Sequence, residues 1–346
     1  METILYAGTD KGVVVMRSPD GRSFEVGNQG IKDWSIPEVQ VVPGEPNKVL
    51  AGTRGDGVWL SEDFGESWKK PSYGKRGPGK VRCVTIDPSD SNRVYAGTEP
   101  IDVFVSEDQA KSWVRLEGVW DVPSVPSVWY PMATVEPHTR DIAVDPSDPN
   151  TIYAALQVGY IIKSTDGGET WKLLNNNLDC DVHTMVIDPT NSRHMVIATG
   201  GYDSRPGRAP GRALYKTEDG GESWTPVGMN FEQEYSVPVE MSQKNPNVVF
   251  AGLAIGTPPE WQRNGTPSAL LVRSKDGGAT WDRVGEGKLP VSAFTDAIAI
   301  DDQNPDRVYA ASRSGTLFIS EDGGDTWDGL DVKIPGGLAN MKLAHA

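Results

Sequence analysis

One short segment recurs seven times along the chain, and this repetition limits the fold more than any other feature. Its copies are Ser18–Phe24, Ser61–Trp68, Ser106–Trp113, Ser164–Trp171, Thr217–Trp224, Ser274–Trp281 and Ser320–Trp327. The fullest form is a Ser or Thr, an Asp two residues on, a Gly-Gly pair, a second Ser or Thr and a closing Trp. These are the parts of a tight turn between strands: Asp accepts bonds from nearby backbone N–H groups, Gly supplies positive φ, and Trp returns the chain to the sheet as an apolar anchor. The intervals between copies are those of a supersecondary repeat with insertions.

A second signature precedes several copies. Val84–Asp87 followed by Pro88 and then Val94–Gly97, and Ile142–Asp145 followed by Pro146 and then Ile152–Ala155, each read as a strand, an Asx/Pro turn and a returning strand. Val186–Asp188 and Ile298–Asp301 open related versions. One repeat is thus four short antiparallel strands, and seven of them predict an all-β fold: a single seven-bladed β-propeller over residues 1–346. Ile4–Gly8 matches the second strand of a blade, so the first blade lacks its innermost strand. Leu338–Leu343 is expected to supply it and close the ring, which removes two open sheet edges.

The bulk properties agree with a packed, turn-rich chain. Hydrophobic residues are 37% and charged residues 23%, with 11 Trp, 38 Gly and 26 Pro. A formal charge of −15 excludes a general nucleic-acid or anionic-membrane footprint, which needs cations to displace counterions. No basic and apolar leader opens the sequence and no apolar run approaches membrane-spanning length, so a soluble protein is expected, cytoplasmic as the sequence stands or secreted if a signal peptide was removed. Four His and two distant Cys give no metal-ligand spacing, and no glycine-rich loop leads from a strand into a helix, so neither metal nor cofactor is expected.

The seven segments resemble the Asp-box, or BNR-repeat, propellers, a family that includes sialidases, xyloglucanases, sortilin-type receptors and photosystem II assembly factors. The resemblance covers nearly the whole chain. It implies that the boxes lie on the side of the propeller away from the functional site and that their Asp residues are structural. It does not imply one activity, because the family holds hydrolases and non-catalytic binders. The Arg-Ile-Pro element of sialidases is absent, so a typical sialidase is not expected.

Strand order places the long insertions, residues 70–80, 118–138, 200–212 and 253–268, on the face opposite the boxes. Trp129, Tyr130, Tyr202 and Trp261 lie in three of them and are expected to wall a cleft. Counting five residues back from the Asp of the Asp-Pro turn gives Arg82, Arg140, His183 and Asp296, and a looser alignment adds Glu38. These are expected to form a charged collar at the mouth of the central channel. Arg82 and Arg140, extended by His138, would bind an anion, and His183, Asp296 and Glu38 would move protons. The function expected is a glycosidase-like hydrolase or lyase acting on a sugar or other anionic small molecule. The alternative is a non-catalytic propeller gripping a protein or glycan.

Overall fold

The computed structural model describes residues 2–73, 76–129, 135–201 and 212–346. Seven antiparallel sheets surround one axis. Their inner strands are Leu338–His345, Glu38–Val42, Val81–Ile86, His138–Asp145, Val182–Asp188, Tyr235–Met241 and Thr295–Ile300, in blades 1 to 7. Each packs on the next, and blade 7 packs on blade 1, so the ring is closed. Six blades have four strands; blade 2 has three, with only the Leu60–Lys69 bridge where a fourth would run.

Closure is by the two ends. Thr3–Thr9 pairs with Leu338–His345 in a register that runs from Thr3 opposite His345 to Gly8 opposite Asn340. The closing strand is two residues longer than its apolar pattern suggested. It buries Leu338, Met341 and Ala344. Between blades, the apolar faces of neighbouring sheets interlock into one buried layer per junction, for example Leu5, Met16, Tyr309 and Ile319 between blades 1 and 7.

All seven boxes are built alike. The first hydroxyl donates to the Asp two residues on, from Ser164 Oγ to Asp166 Oδ1 at 2.7 Å and from Ser320 to Asp322 at 2.8 Å. That Asp in turn accepts an amide and a hydroxyl of the second Ser or Thr, Thr170 for Asp166 and Thr326 for Asp322. These bonds, Thr170's and Thr326's first, pull both carboxyls down to about 2.

The boxes also fasten one strand pair to another. Gly167 N–H donates to Asn150 O, Gly220 N–H to Arg193 O and Gly323 N–H to Asp306 O, so each box is tied to the inner turn of its own blade on the same face of the ring. Their glycine carbonyls accept from the neighbouring blade: Tyr153 to Gly220, Tyr309 to Gly21 and His194 to Gly277. His194, which its turn position would leave solvated, is therefore buried as a latch between blades 5 and 6. The Asp-Pro turns are Asx turns, with Asp87, Asp145, Asp188 and Asp301 each accepting the amide two residues on.

Candidate functional site

A cavity of about 320 Å³ runs along the axis. Its walls are inner-strand residues, from Arg140, His183 and Asp296 at one end to Pro88, Pro146, Pro189 and Gln243 at the other. The latter belong to the inner turns, so the cavity reaches the box-bearing face. Among the described residues, none of the four insertions lines it. Among the described residues the cavity is thus walled by inner strands and Asp-Pro turns, and the inserted loops add nothing to its lining.

The collar owes its geometry to a repeated β-bulge. The ladder between inner and second strands skips one residue at Arg82, Arg140, His183, Asp296 and Ala339, and two at Val237 and Pro238. A bulged residue is unpaired and its side chain is re-aimed. Blade 2 has no such slip at Glu38, which pairs with Gly52. Gly52 corresponds to Gly97, whose partner is Cys83, so Glu38 sits one residue further along than the other four. The looser alignment of Glu38 was off by one, because Pro43-Gly44 replaces the Asp-Pro turn there.

Most of these side chains join one blade to the next. The His183 ring donates from Nδ1 to Ser236 O at 2.6 Å, linking blades 5 and 6, while Nε2 faces the Gln157 amide at 3.2 Å and Asp181 at 3.4 Å. Glu38 Oε1 accepts from Asn340 Nδ2 at 2.8 Å, linking blades 1 and 2, and from Gln40 at 2.9 Å. Burial pushes this carboxyl up to about 8, so it is protonated at neutral pH. Inner strands of adjacent blades splay apart, and polar side chains reach across in place of a main-chain ladder.

Asp296 is held by Arg313, from Nε to Oδ2 at 2.9 Å and from Nη2 to Oδ1 at 2.6 Å. The guanidinium also lies 5.3 Å from the Trp261 ring and 5.9 Å from that of Phe294. Trp261 comes from the helix Pro258–Asn264, begun by a Thr257/Glu260 capping box. It is buried against Tyr235 and Phe294, so it covers the ion pair and is not a rim surface open to a sugar.

Arg82 does not line the cavity. Its Nη2 lies 2.5 Å from His138 Nε2 and its Nη1 lies 3.5 Å from Glu99. His138 donates from Nδ1 to Glu136 O, and burial drives its pKa down to about 3. The two form a neutral-acceptor and cation pair, and the Arg140 charge nearby also lowers the His138 pKa. Arg140 lines the cavity, and among the described residues it has no hydrogen-bond or ion-pair partner.

Three groups escaped the sequence reading. Asp141 accepts the amides of Ile142 and Met185, joining blades 4 and 5, and burial raises its pKa to about 6. Lys342 and Glu240 face each other at 3.8 Å. The signal for Lys342 was its two-residue step from Asn340 in the closing strand, which puts both on one face. Trp129 and Trp120 on the insertion at 118–138 are 53% and 39% exposed, while Val119, Val122 and Val125 anchor that loop in the core. Tyr130 and Tyr202 lie outside the described residues. Among the described residues no group of His, Cys, Asp and Glu is placed to hold a metal ion, and no helix is long and apolar enough to cross a membrane.

Seven four-stranded or near four-stranded sheets, each turned by the same Ser/Thr-x-Asp latch, define the class: the chain folds as a seven-bladed β-propeller with Asp-box-like turns. The BNR/Asp-box repeat family model matches residues 162–173, the latch of blade 4. The photosystem II assembly lipoprotein Ycf48 of Synechococcus sp. (strain CC9902) is 24% identical over 207 residues, 51% of this chain and 57% of that protein. The GH74 enzyme of Niastella koreensis has a TM-score of 0.65 at 15% identity, over 94% of this chain and 46% of that one. A structure of Ycf48 bound to D1 peptide has a TM-score of 0.55 at 16% identity, over 86% and 82%. The chain thus spans little more than half of the curated relative and less than half of the GH74 enzyme. At these identities the likeness is one of fold, common to an enzyme and an assembly factor alike.

Proposed function

We propose that this chain is a binding propeller that grips a polypeptide or glycan partner with its inserted face, while its axial carboxylates hold the ring together. The observation that carries this reading is the bidentate capture of Asp296 by Arg313 beneath Trp261. A carboxylate so bound is fixed in orientation, with one lone pair of each oxygen taken by the guanidinium, while burial raises its pKa, which suits a tie between elements better than a group free to meet a substrate. On the inserted face, by contrast, Trp120 and Trp129 stand exposed on a loop that the core holds still, which is how a recognition surface is presented. The peptide in the Ycf48 structure supports the same use of a propeller of this kind.

The test is binding to arrays of overlapping peptides and of oligosaccharides, with wild type compared with Trp129→Ala and Trp120→Ala. Ligands retained by wild type should be lost or weakened about tenfold by the indole removals. Equal retention by all three chains contradicts the assignment of that face.

One observation favours the second reading, a glycosidase-like hydrolase or lyase. Glu38 and Asp141 line one cavity with pKa values pushed by burial to about 8 and about 6, which would leave an acid and a base side by side at neutral pH. Under that reading the substrate would enter the axial cavity, and Arg140 would hold its anionic group.

A further inference from the structure

Arg140 differs from every other charged group on the cavity wall. Asp141 spends its oxygens on two backbone amides, and Asp296 is taken by Arg313. Glu38 receives two amide donors on Oε1 and is neutral. Lys342 is near Glu240, at 3.8 Å. The guanidinium of Arg140 has five N–H donors and, among the described residues, no acceptor for any of them. Its charge lowers the pKa of Glu38, Asp141 and Asp296, yet its N–H donors are left for a solvent molecule or a ligand in the cavity.

We propose that the axial cavity is a binding site for a small hydroxylated monocarboxylate of the sugar-acid class, entering between the Asp-Pro turns, with Arg140 as its anchor. The planar fork of arginine matches a carboxylate through two parallel N–H···O bonds. The protonated Glu38, whose Oε2 is left for its proton, adds a donor to the same pocket. Gln40, Gln243 and Thr85 donate to Glu38, Met241 O and Ile142 O, so on the walls they offer their oxygens as acceptors to the ligand's own hydroxyls, together with the Thr184 hydroxyl. A neutral sugar leaves Arg140 unsatisfied, and a dianion is repelled by Asp141 and Glu240, so a single negative charge fits best. About 320 Å³ admits a six-carbon acid. Among the described residues Trp129 does not line this cavity, and the proposal does not depend on the partner-binding reading.

Isothermal titration of the whole chain with D-glucuronate and gluconate tests this, with glucose and inorganic phosphate as the contrasting probes. Both acids should bind, glucose should bind at least about tenfold more weakly, and Arg140→Gln should lose about tenfold or more for the acids. Trp129→Ala should bind them as wild type does, which separates this site from the inserted face. Absence of binding by both acids at about 10 mM overturns the proposal, as does glucose binding as tightly as glucuronate or phosphate binding more tightly than either acid. If a thermal melt shows that Arg140→Gln is unfolded, the wild-type contrast of glucuronate with glucose decides alone.

Discussion

Arg313 grips both oxygens of Asp296, at 2.6 and 2.9 Å, and is itself roofed by the Trp261 ring at 5.3 Å. A loop insertion, a strand end and an inner strand meet in this contact. Removing one partner leaves the other without its counter-charge in a largely dry site, which costs more than the pair's net worth. With Arg313 44% exposed, solvent screens part of that loss. Arg313→Ala is expected to lower stability by about 2 kcal/mol in denaturant melts and to shift Trp261 emission. Arg313→Lys should recover less than half, since the ammonium cannot bridge both oxygens.

Glu38 makes stability depend on pH in the reverse sense to most carboxylates. Burial raises its folded pKa to about 8 from an ordinary 4.5, so between these values the folded chain binds the extra proton. Stability therefore falls as pH rises through that window. Glu38→Gln keeps a neutral side chain there and should melt higher than wild type at pH 8.5 to 9, with the difference closing by about pH 5. Melting temperatures of the two chains across that range check it.

The box carboxylates act in the opposite direction. Thr326's hydroxyl and amide hold Asp322 down to about 2 from 3.8, so its contribution is present above 3.8 and is lost as pH falls toward 2. Asp322→Ala should lower the melting temperature by roughly 2–4 °C at pH 7 and change it little at pH 2.

Much of this could be read from the residues. Seven copies of one turn give seven blades, and the bare second strand at Ile4–Gly8 calls for an inner strand from the other end of the chain. The positions at Arg140, His183 and Asp296 were also legible, because the Asp-Pro turn fixes a register from which to count. Their bonding was not. Whether His183 meets Ser236, or Asp296 meets Arg313, depends on the splay between neighbouring blades and on a bulge that only the ladder reveals. Arg82 misled for the same reason: its offset matches Arg140, yet its side chain turns to His138 and Glu99. Trp261 looked like a rim aromatic because an insertion carries it, whereas the helix of that insertion folds it inward.

The closing strand should govern cooperativity. Met341 is 1% exposed, and the strand that carries it pairs along the whole of Thr3–Thr9. A chain ending at residue 337 should lose its sharp thermal transition and associate through the bared edge. Met341→Ala should keep the transition and cost about 2–3 kcal/mol. Size-exclusion profiles and melts of the two variants distinguish edge loss from cavity formation.

The carboxylates around the axis are proposed to tie the blades together and not to turn over a substrate. The most direct test of this central claim is turnover of a panel of neutral, uronic-acid and sulfated oligosaccharides, scored by product mass for wild type, Asp296→Asn, Glu38→Gln and Asp141→Asn. The account predicts no product from any of the four. Product formed by wild type and abolished in a folded carboxylate variant would contradict it.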